Sequence, residues 1–147
     1  MKYISSLLMI FLVGCVSSNI DSVVDHYNMN INKITLGMDI DEFNSIFGVQ
    51  QAALMKGSDK PPTRFTRQGE IFDVVYLRTA RIPDGETTDD EFTPHVFKSG
   101  KLYQIGWEAL GGAKRTSNDV AREQSEIEKA KASATKIEQT IEQKTTQ

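Results

Sequence analysis

Apolar residues recur at helical spacing near the start of the chain and at strand spacing further along. The first stripe has steps of three and four residues and predicts a helix from about Asp21 to Ile34, with an apolar face made by Ile20, Val23, Val24, Tyr27, Ile31 and Ile34. Gly37 separates this stripe from the next one. The pattern therefore predicts a short helical hairpin.

The second helix has clearer end signals than the first. Asp39 is a suitable N-cap, and Glu42, three residues on, completes a capping box. Met38 can pack on Phe43 as a hydrophobic staple. The buried stripe comprises Ile40, Phe43, Ile46 and Phe47. We expect Gly48 to end the helix as its C′ residue.

Strand spacing follows a polar linker. Between Val49 and Gly69 the Pro61-Pro62 pair breaks regular structure, and we expect one edge strand at most, near Ala52 to Met55. The segment from Ile71 to Leu77 is rich in β-branched and aromatic residues, which predicts a central strand.

A hairpin is predicted next. Thr93 to Lys98 and Lys101 to Trp107 are apolar enough to be strands, and Ser99-Gly100 between them supplies a two-residue turn. In this register the facing pairs are Phe97 with Leu102 and Val96 with Tyr103. Tyr103, Ile105 and Trp107 alternate on one strand face, which places Trp107 in the core or at its edge.

The chain changes character after Gly111-Gly112. Ser117 to Gln147 contains no aromatic residue, proline or glycine and predicts a polar helix. Its heptad seam comprises Val120, Ile127, Ala134 and Ile141 with Ala130 and Ile137, but Glu123 and Lys144 take the remaining companion positions. Both a solvated, partly frayed helix and a coiled-coil or partner-binding helix fit this pattern.

The N-terminus reads as a bacterial lipoprotein signal. Lys2 and the apolar run from Ile4 to Val13 precede Gly14-Cys15, a small residue followed by cysteine as in a lipobox. The alternative is an ordinary secretory signal in which Cys15 is incidental. No acidic residue follows the cysteine in Val16-Ser17-Ser18, which favours the outer membrane. Acyl chains on Cys15 would then anchor the mature chain in the membrane.

These segments divide the chain into four parts. We expect a signal peptide over residues 1–14, an acylated tether over 15–19, an α+β domain over 20–110 and a helical or partly disordered tail over 113–147. Cys15 is the only cysteine, so an acylated chain has no thiol left for a disulfide or a thiolate metal site. With 17 basic and 20 acidic residues the chain has no basic excess, and we expect no nucleic-acid partner.

The acidic loop Asp84–Glu91 is the most polar stretch of the domain. Its spacing does not match a calcium loop, and a solvated loop, a weak divalent-cation site and a partner-recognition loop are the three interpretations. Arg78 and Arg81 lie beside it and are expected to pair with its carboxylates. The candidate partner-binding residues are Arg78, Arg81, Asp84, Thr87, Thr88, Asp89, Asp90 and Glu91.

Catalytic patterns are missing from the sequence. His26 and His95 fall on different elements without a metal-ligand spacing, and no serine lies in a Gly-x-Ser-x-Gly elbow. We therefore expect no enzyme activity, no metal, no cofactor and no small-molecule substrate.

Two motifs resemble known bacterial envelope proteins. The run Ile34-Thr35-Leu36-Gly37-Met38-Asp39, a short helix and then Ile46-Phe47-Gly48 resembles the SmpA/OmlA lipoproteins. A second set is similar to an uncharacterised family of small envelope proteins within the same fold group, on Arg78-Thr79, Asp84 to Pro94, Phe97 to Leu102 and Gly106-Trp107. The chain departs from these patterns by lacking a proline soon after Gly48 and by carrying Phe92 where the closer family frequently has a cysteine.

The resemblance covers about residues 26 to 108 and implies a fold and a role. The fold is α+β, with two N-terminal helices packed on a three- to four-stranded antiparallel sheet, as in β-lactamase-inhibitor-like domains, to which the tail adds a C-terminal polar helix. The role is that of a non-enzymatic lipoprotein on the periplasmic side of the outer membrane, with an envelope protein as partner. The best-known SmpA/OmlA members are accessory subunits of the outer-membrane β-barrel assembly machinery.

Replacing Cys15 by alanine tests the anchor. We expect the Cys15→Ala chain to lack lipid mass at its N-terminus and to leave the outer-membrane fraction, because no other cysteine can be acylated. Mass spectrometry of the N-terminal peptide and envelope fractionation measure both effects. A wild-type chain recovered soluble and unmodified from the periplasm would contradict the prediction.

Overall fold

The computed structural model describes residues 18–145. The lipobox and Cys15 lie outside these residues, so the signal peptide and the lipidation stay predictions. Within residues 18–145, no helix combines the length and the apolarity needed to cross a membrane.

Two helices precede a four-stranded antiparallel sheet, and a long helix ends the chain. The elements are α1 (Ser18–Asn30), α2 (Ile40–Ala52), β1 (Thr63–Arg67), β2 (Glu70–Arg78), β3 (Phe92–Lys98), β4 (Lys101–Ile105) and α3 (Ser117–Thr145). The strands are arranged in sequence order, β1-β2-β3-β4. This architecture confirms the predicted α+β class, with four strands and a C-terminal helix.

The main core lies between the helices and one face of the sheet. Its buried residues come from both helices, the segment before α2 and three strands: Tyr27, Met38, Phe43, Phe47, Leu77, Phe97 and Leu102. Phe43 and Phe47 have exposures of 0% and 1%, which confirms their predicted place in the core. Their rings contact each other, with centroids 5.2 Å apart.

Helix α2 begins as predicted but ends later. The Asp39 carboxylate caps it by accepting from the Asp41 N–H at 2.9 Å, rather than from the Glu42 amide of a capping box. Gly48 was expected to end the helix, and this was wrong, because α2 continues to Ala52. Gln51 explains the extra turn, since its side chain exchanges two hydrogen bonds with the backbone of Arg78 on β2.

The remaining boundary predictions need four corrections, the first of which is that β4 ends at Ile105, whereas the predicted strand end, Trp107, lies in a 3₁₀ turn. The first helix ends at Asn30 and continues as a 3₁₀ turn over Ile31–Lys33. The predicted strand at Ala52–Met55 is absent, and the edge strand is β1, directly after Pro61-Pro62. In the hairpin, Phe97 faces Leu102 as predicted, but an irregularity between Val96 and Phe97 moves Val96 opposite Gln104 instead of Tyr103.

The second face of the sheet is covered by a single short turn instead of two helices. Phe72, Val74 and Val96 are buried there, and the 3₁₀ turn Trp107–Leu110 lies over them. The two edges of the sheet also differ. The outer edge of β4 is paired, since Gly37 N–H donates to the Leu102 carbonyl and Leu102 N–H donates to the Met38 carbonyl. Strand β1 forms the other edge.

Truncating a core phenylalanine should be costly. We expect Phe47→Ala to lower the free energy of unfolding by about 3 to 5 kcal/mol, because it leaves a cavity beneath both helices. Val49→Ala, on the exposed face of the same helix, is the matched control and should cost less than about 0.5 kcal/mol. Chemical unfolding measures both, and equal losses would contradict the placement of Phe47.

A buried histidine should make stability depend on pH. His95 lies on β3 with its ring 4.8 Å from that of Phe43 and 6.4 Å from that of Tyr27, and it has no exposed surface. Its Nδ1 is 3.1 Å from the Thr93 carbonyl oxygen, whereas Nε2 has no hydrogen-bond partner. Burial lowers the pKa of His95 to about 4 from 6.5, because the charged form loses its hydration.

Acid should destabilise the domain, because the unfolded chain binds a proton at His95 that the native state does not. Between pH 6.5 and 4 the unfolded chain protonates this histidine while the native state does not, so stability is full above pH 6.5 and falls by up to about 3 kcal/mol by pH 4. His95→Leu removes the titration. We expect its unfolding free energy to vary less than the wild type over this window, and parallel pH profiles would contradict the prediction.

Candidate binding groove

A groove lies on the sheet face opposite α1 and α2. Its cavity has a volume of about 730 Å³, within the usual range for ligand sites. Strands β1 and β2 form one side, and the segment from Trp107 to Lys114 forms the other. The lining residues that carry aromatic or charged side chains are Lys60, Phe65, Arg67, Tyr76, Asp89, Trp107 and Lys114.

Two aromatic rings form the floor of the groove. Tyr76 on β2 and Trp107 have ring centroids 5.6 Å apart. Trp107 is fixed by a hydrogen bond from its Nε1 to the Phe92 carbonyl at 2.8 Å, and the Tyr76 hydroxyl is 3.0 Å from the Thr63 hydroxyl. Trp107, predicted in the core or at its edge, is half-buried here, so part of its ring faces the groove.

Lys60 bridges the floor and the acidic loop. Its ammonium lies 5.3 Å from the centroids of both floor rings, which is a cation–π geometry. The same ammonium forms an ion pair with Asp89 Oδ1 at 2.5 Å. One wall of the groove is therefore held by a charge pair rather than by apolar packing.

A second, smaller cavity continues the groove across the sheet. It has a volume of about 270 Å³ and shares Phe65, Arg67 and Ala109 with the first. Phe65 stacks on Phe72 with ring centroids 5.0 Å apart, so the floor stays aromatic across the boundary. The two cavities form one elongated depression, which we call the groove.

The rim of the groove is basic. Arg67 and Lys114 are exposed, and within residues 18–145 neither side chain has an ion-pair partner. The Lys60 charge, by contrast, is already balanced by Asp89. The groove therefore combines an apolar floor with two uncompensated positive charges.

The acidic loop, which borders the groove at Asp89, is built around a buried ion pair. Arg78 Nη2 and Glu91 Oε1 form this pair at a distance of 2.5 Å, and the two side chains have exposures of 3% and 0%. The guanidinium also donates to the carbonyls of Ser58 and Ala80. The Glu91 carboxylate accepts from the backbone N–H groups of Ile82 and Thr88. Both charges are thus satisfied by hydrogen bonds inside the domain.

Two aspartates of the loop hold the start of α3. Although burial opposes it, hydrogen bonds from Lys60 Nζ and from the backbone N–H groups of Lys114 and Arg115 keep the pKa of Asp89 below its usual range. The Asp90 carboxylate accepts from the Ser117 backbone N–H at 3.1 Å. The first turn of α3 is buried at Val120, so packing on the domain continues past Gly112.

The structure divides the predicted partner-binding residues into two groups. Arg78, Thr88, Asp89 and Glu91 are buried, whereas Arg81, Asp84, Thr87 and Asp90 are exposed or half-exposed. Arg78 pairs with a loop carboxylate as predicted. Arg81 does not, because it pairs with Asp21 on α1 at 2.8 Å. No group of three or more potential metal-ligating side chains converges in the part of the chain that the structure describes.

The groove was not predicted from the sequence. Its lining comes from five separate stretches, around Lys60, Phe65, Tyr76, Asp89 and Trp107, which only the fold brings together. The one available signal was Trp107, the only tryptophan of the chain, in a segment with glycines on both sides.

Neutralising one partner of the buried pair should destabilise the domain. We expect Glu91→Gln to lower the free energy of unfolding by about 3 to 5 kcal/mol, because it leaves the Arg78 charge buried without a counterion. Asp21→Asn, which removes the exposed pair with Arg81, is the control and should cost less than about 1 kcal/mol. Chemical unfolding measures both variants. Similar decreases in the free energy of unfolding would contradict the prediction that breaking a buried ion pair costs more than breaking an exposed one.

Comparison with known proteins finds one family. The model of a family described as "Protein of unknown function (DUF3192)" matches residues 16–111, which include α1, α2 and the whole sheet. No curated protein and no solved structure matches the chain. Because the match spans more than half of its residues, the chain belongs to the DUF3192 family.

Proposed function

We propose that the protein is a non-enzymatic lipoprotein, anchored through Cys15 on the periplasmic side of the outer membrane. It acts there as a binding or scaffolding module in envelope maintenance or outer-membrane protein assembly. The lipobox and the absence of catalytic patterns in the sequence support the anchoring and the non-enzymatic role. The groove supplies the binding surface.

The observation that carries this proposal is the apolar floor of the groove. Tyr76 and Trp107 line an open cavity instead of lying under a helix, although the other face of the same sheet is covered by α1 and α2. Exposed aromatic surface in a concave site is typical of a place where a partner binds. The basic rim at Arg67 and Lys114 selects against positively charged partners.

The alternative is an inhibitor-like module that occludes an enzyme or receptor through its 81–91 loop. The observation in its favour is the exposed tip of the loop at Gly85–Thr87. The ion pair and the α3 contacts hold the base of this loop, so such a tip would be presented with little loss of conformational entropy on binding.

Capture from detergent-solubilised envelopes distinguishes the two. We expect the full-length lipoprotein to retain partners that are lost when Arg67→Glu and Lys114→Glu reverse the charge of the rim. Lys33→Glu with Lys56→Glu, at exposed sites outside the groove, is the matched control and should retain them.

A third variant, Thr87→Arg, changes only the tip of the loop. Loss of a partner in this variant alone would favour the inhibitor-like alternative. Partners that stay bound to every variant would contradict a role for the groove.

A further inference from the structure

We propose that the groove binds an extended acidic peptide of a partner protein, which adds to the free edge of β1 as a fifth strand. An apolar side chain of that peptide would pack against Trp107 and Tyr76. This inference rests on the proposed function, because it names the class of ligand for the same groove.

The backbone groups of β1 alternate between β2 and the outer side of the sheet. Arg67 and Glu70 flank a two-residue turn, Gln68-Gly69, in which both residues have positive φ, 53° and 78°. Residues that flank such a turn exchange hydrogen bonds, and the pairing then alternates along the strand. The peptide groups of Thr63, Phe65 and Arg67 therefore face β2, and those of Arg64 and Thr66 face outward.

These outward groups are free to pair. No other backbone or side-chain group of residues 18–145 bonds to the outer edge of β1, whereas residues 37–40 pair with the outer edge of β4. An unpaired strand edge is a template for strand addition. The sheet therefore has one free edge, and the groove lies beside it.

The groove opens beside the free edge of β1. Thr63, Phe65 and Arg67 line the groove from β1, so a strand added to that edge would place alternate side chains beside its opening. The second cavity extends the depression past Phe65 toward Tyr103. The depression therefore runs from the free edge of β1 across the sheet, and side chains of an added strand would enter it from that edge.

The groove carries an excess of positive charge. Arg67 borders both cavities and Lys114 borders the larger one, and neither cation has an ion-pair partner among the described residues. Glu70, which lines the smaller cavity, pairs with Lys98 at 2.7 Å. The groove therefore favours a peptide with acidic side chains beside an apolar one.

Selection from a random peptide library tests the proposal. The probe is a displayed library of linear peptides long enough to form a strand, selected on the full chain in detergent. We expect enrichment of peptides that combine Asp or Glu with an aromatic or aliphatic residue and that lack proline. Titration of synthetic copies should change the fluorescence of Trp107, the only tryptophan.

A matched pair of variants tests the strand geometry. Thr66→Pro removes one outward N–H and keeps the bonds to β2, since proline is tolerated on an edge strand. It should weaken peptide binding about tenfold relative to Thr66→Ala, which also removes the threonine side chain but keeps the N–H. Hydrogen exchange should show new protection at the Arg64 and Thr66 amides when peptide is bound, and the unfolding midpoints confirm that both variants are folded.

Several results would overturn the inference. The library could yield no binder, or its binders could be basic or rich in proline. A selected peptide could also bind Thr66→Pro and Thr66→Ala with equal affinity. If envelope capture still depended on Arg67 and Lys114 in any of these cases, strand addition would be wrong while the proposed function held. If the library yielded acidic strand-forming binders but envelope capture did not depend on Arg67 and Lys114, the groove would bind peptides while the proposed function was wrong.

Discussion

The buried ion pair between Arg78 and Glu91 organises the part of the domain that has no regular secondary structure. Two charges removed from water are costly unless each is paired and fully hydrogen-bonded. Here the guanidinium donates to the Ser58 and Ala80 carbonyls, while the carboxylate accepts from Ile82 and Thr88. Three irregular segments thus meet at one pair, and their backbone groups are satisfied there instead of in a helix or a strand ladder.

The rest of the site follows from the position of that pair. Glu91 ends a 3₁₀ turn over Asp89–Glu91, so fixing Glu91 fixes the two aspartates before it. Asp89 then holds Lys60 beside the groove and accepts from the backbone N–H groups of residues 114 and 115. One carboxylate thereby joins the wall of the groove to the start of α3. A change that moved Lys60 would act on both, because they share the same acceptor.

Local signals predicted what local interactions determine. The Asp39 cap, the central strand β2 and the Ser99-Gly100 turn each depend on neighbouring residues, and each was found. The later end of α2 depends on Gln51 reaching Arg78, which lies 27 residues away. The spacing of residues along the chain cannot predict such a distant contact. The groove was missed for the same reason, since strand pairing and the turn over the sheet assemble it from residues that are distant in the sequence.

The anchor and the groove are compatible in space if Cys15 is acylated. Only two residues separate Cys15 from Ser18, a length of about 10 Å when fully extended, so the start of α1 would lie close to the bilayer surface. Helix α1 packs on one face of the sheet, and the groove lies on the other. The sheet thus separates the groove from the helices next to the tether. A partner that pairs with the free edge of β1 and enters the groove would then displace neither helix.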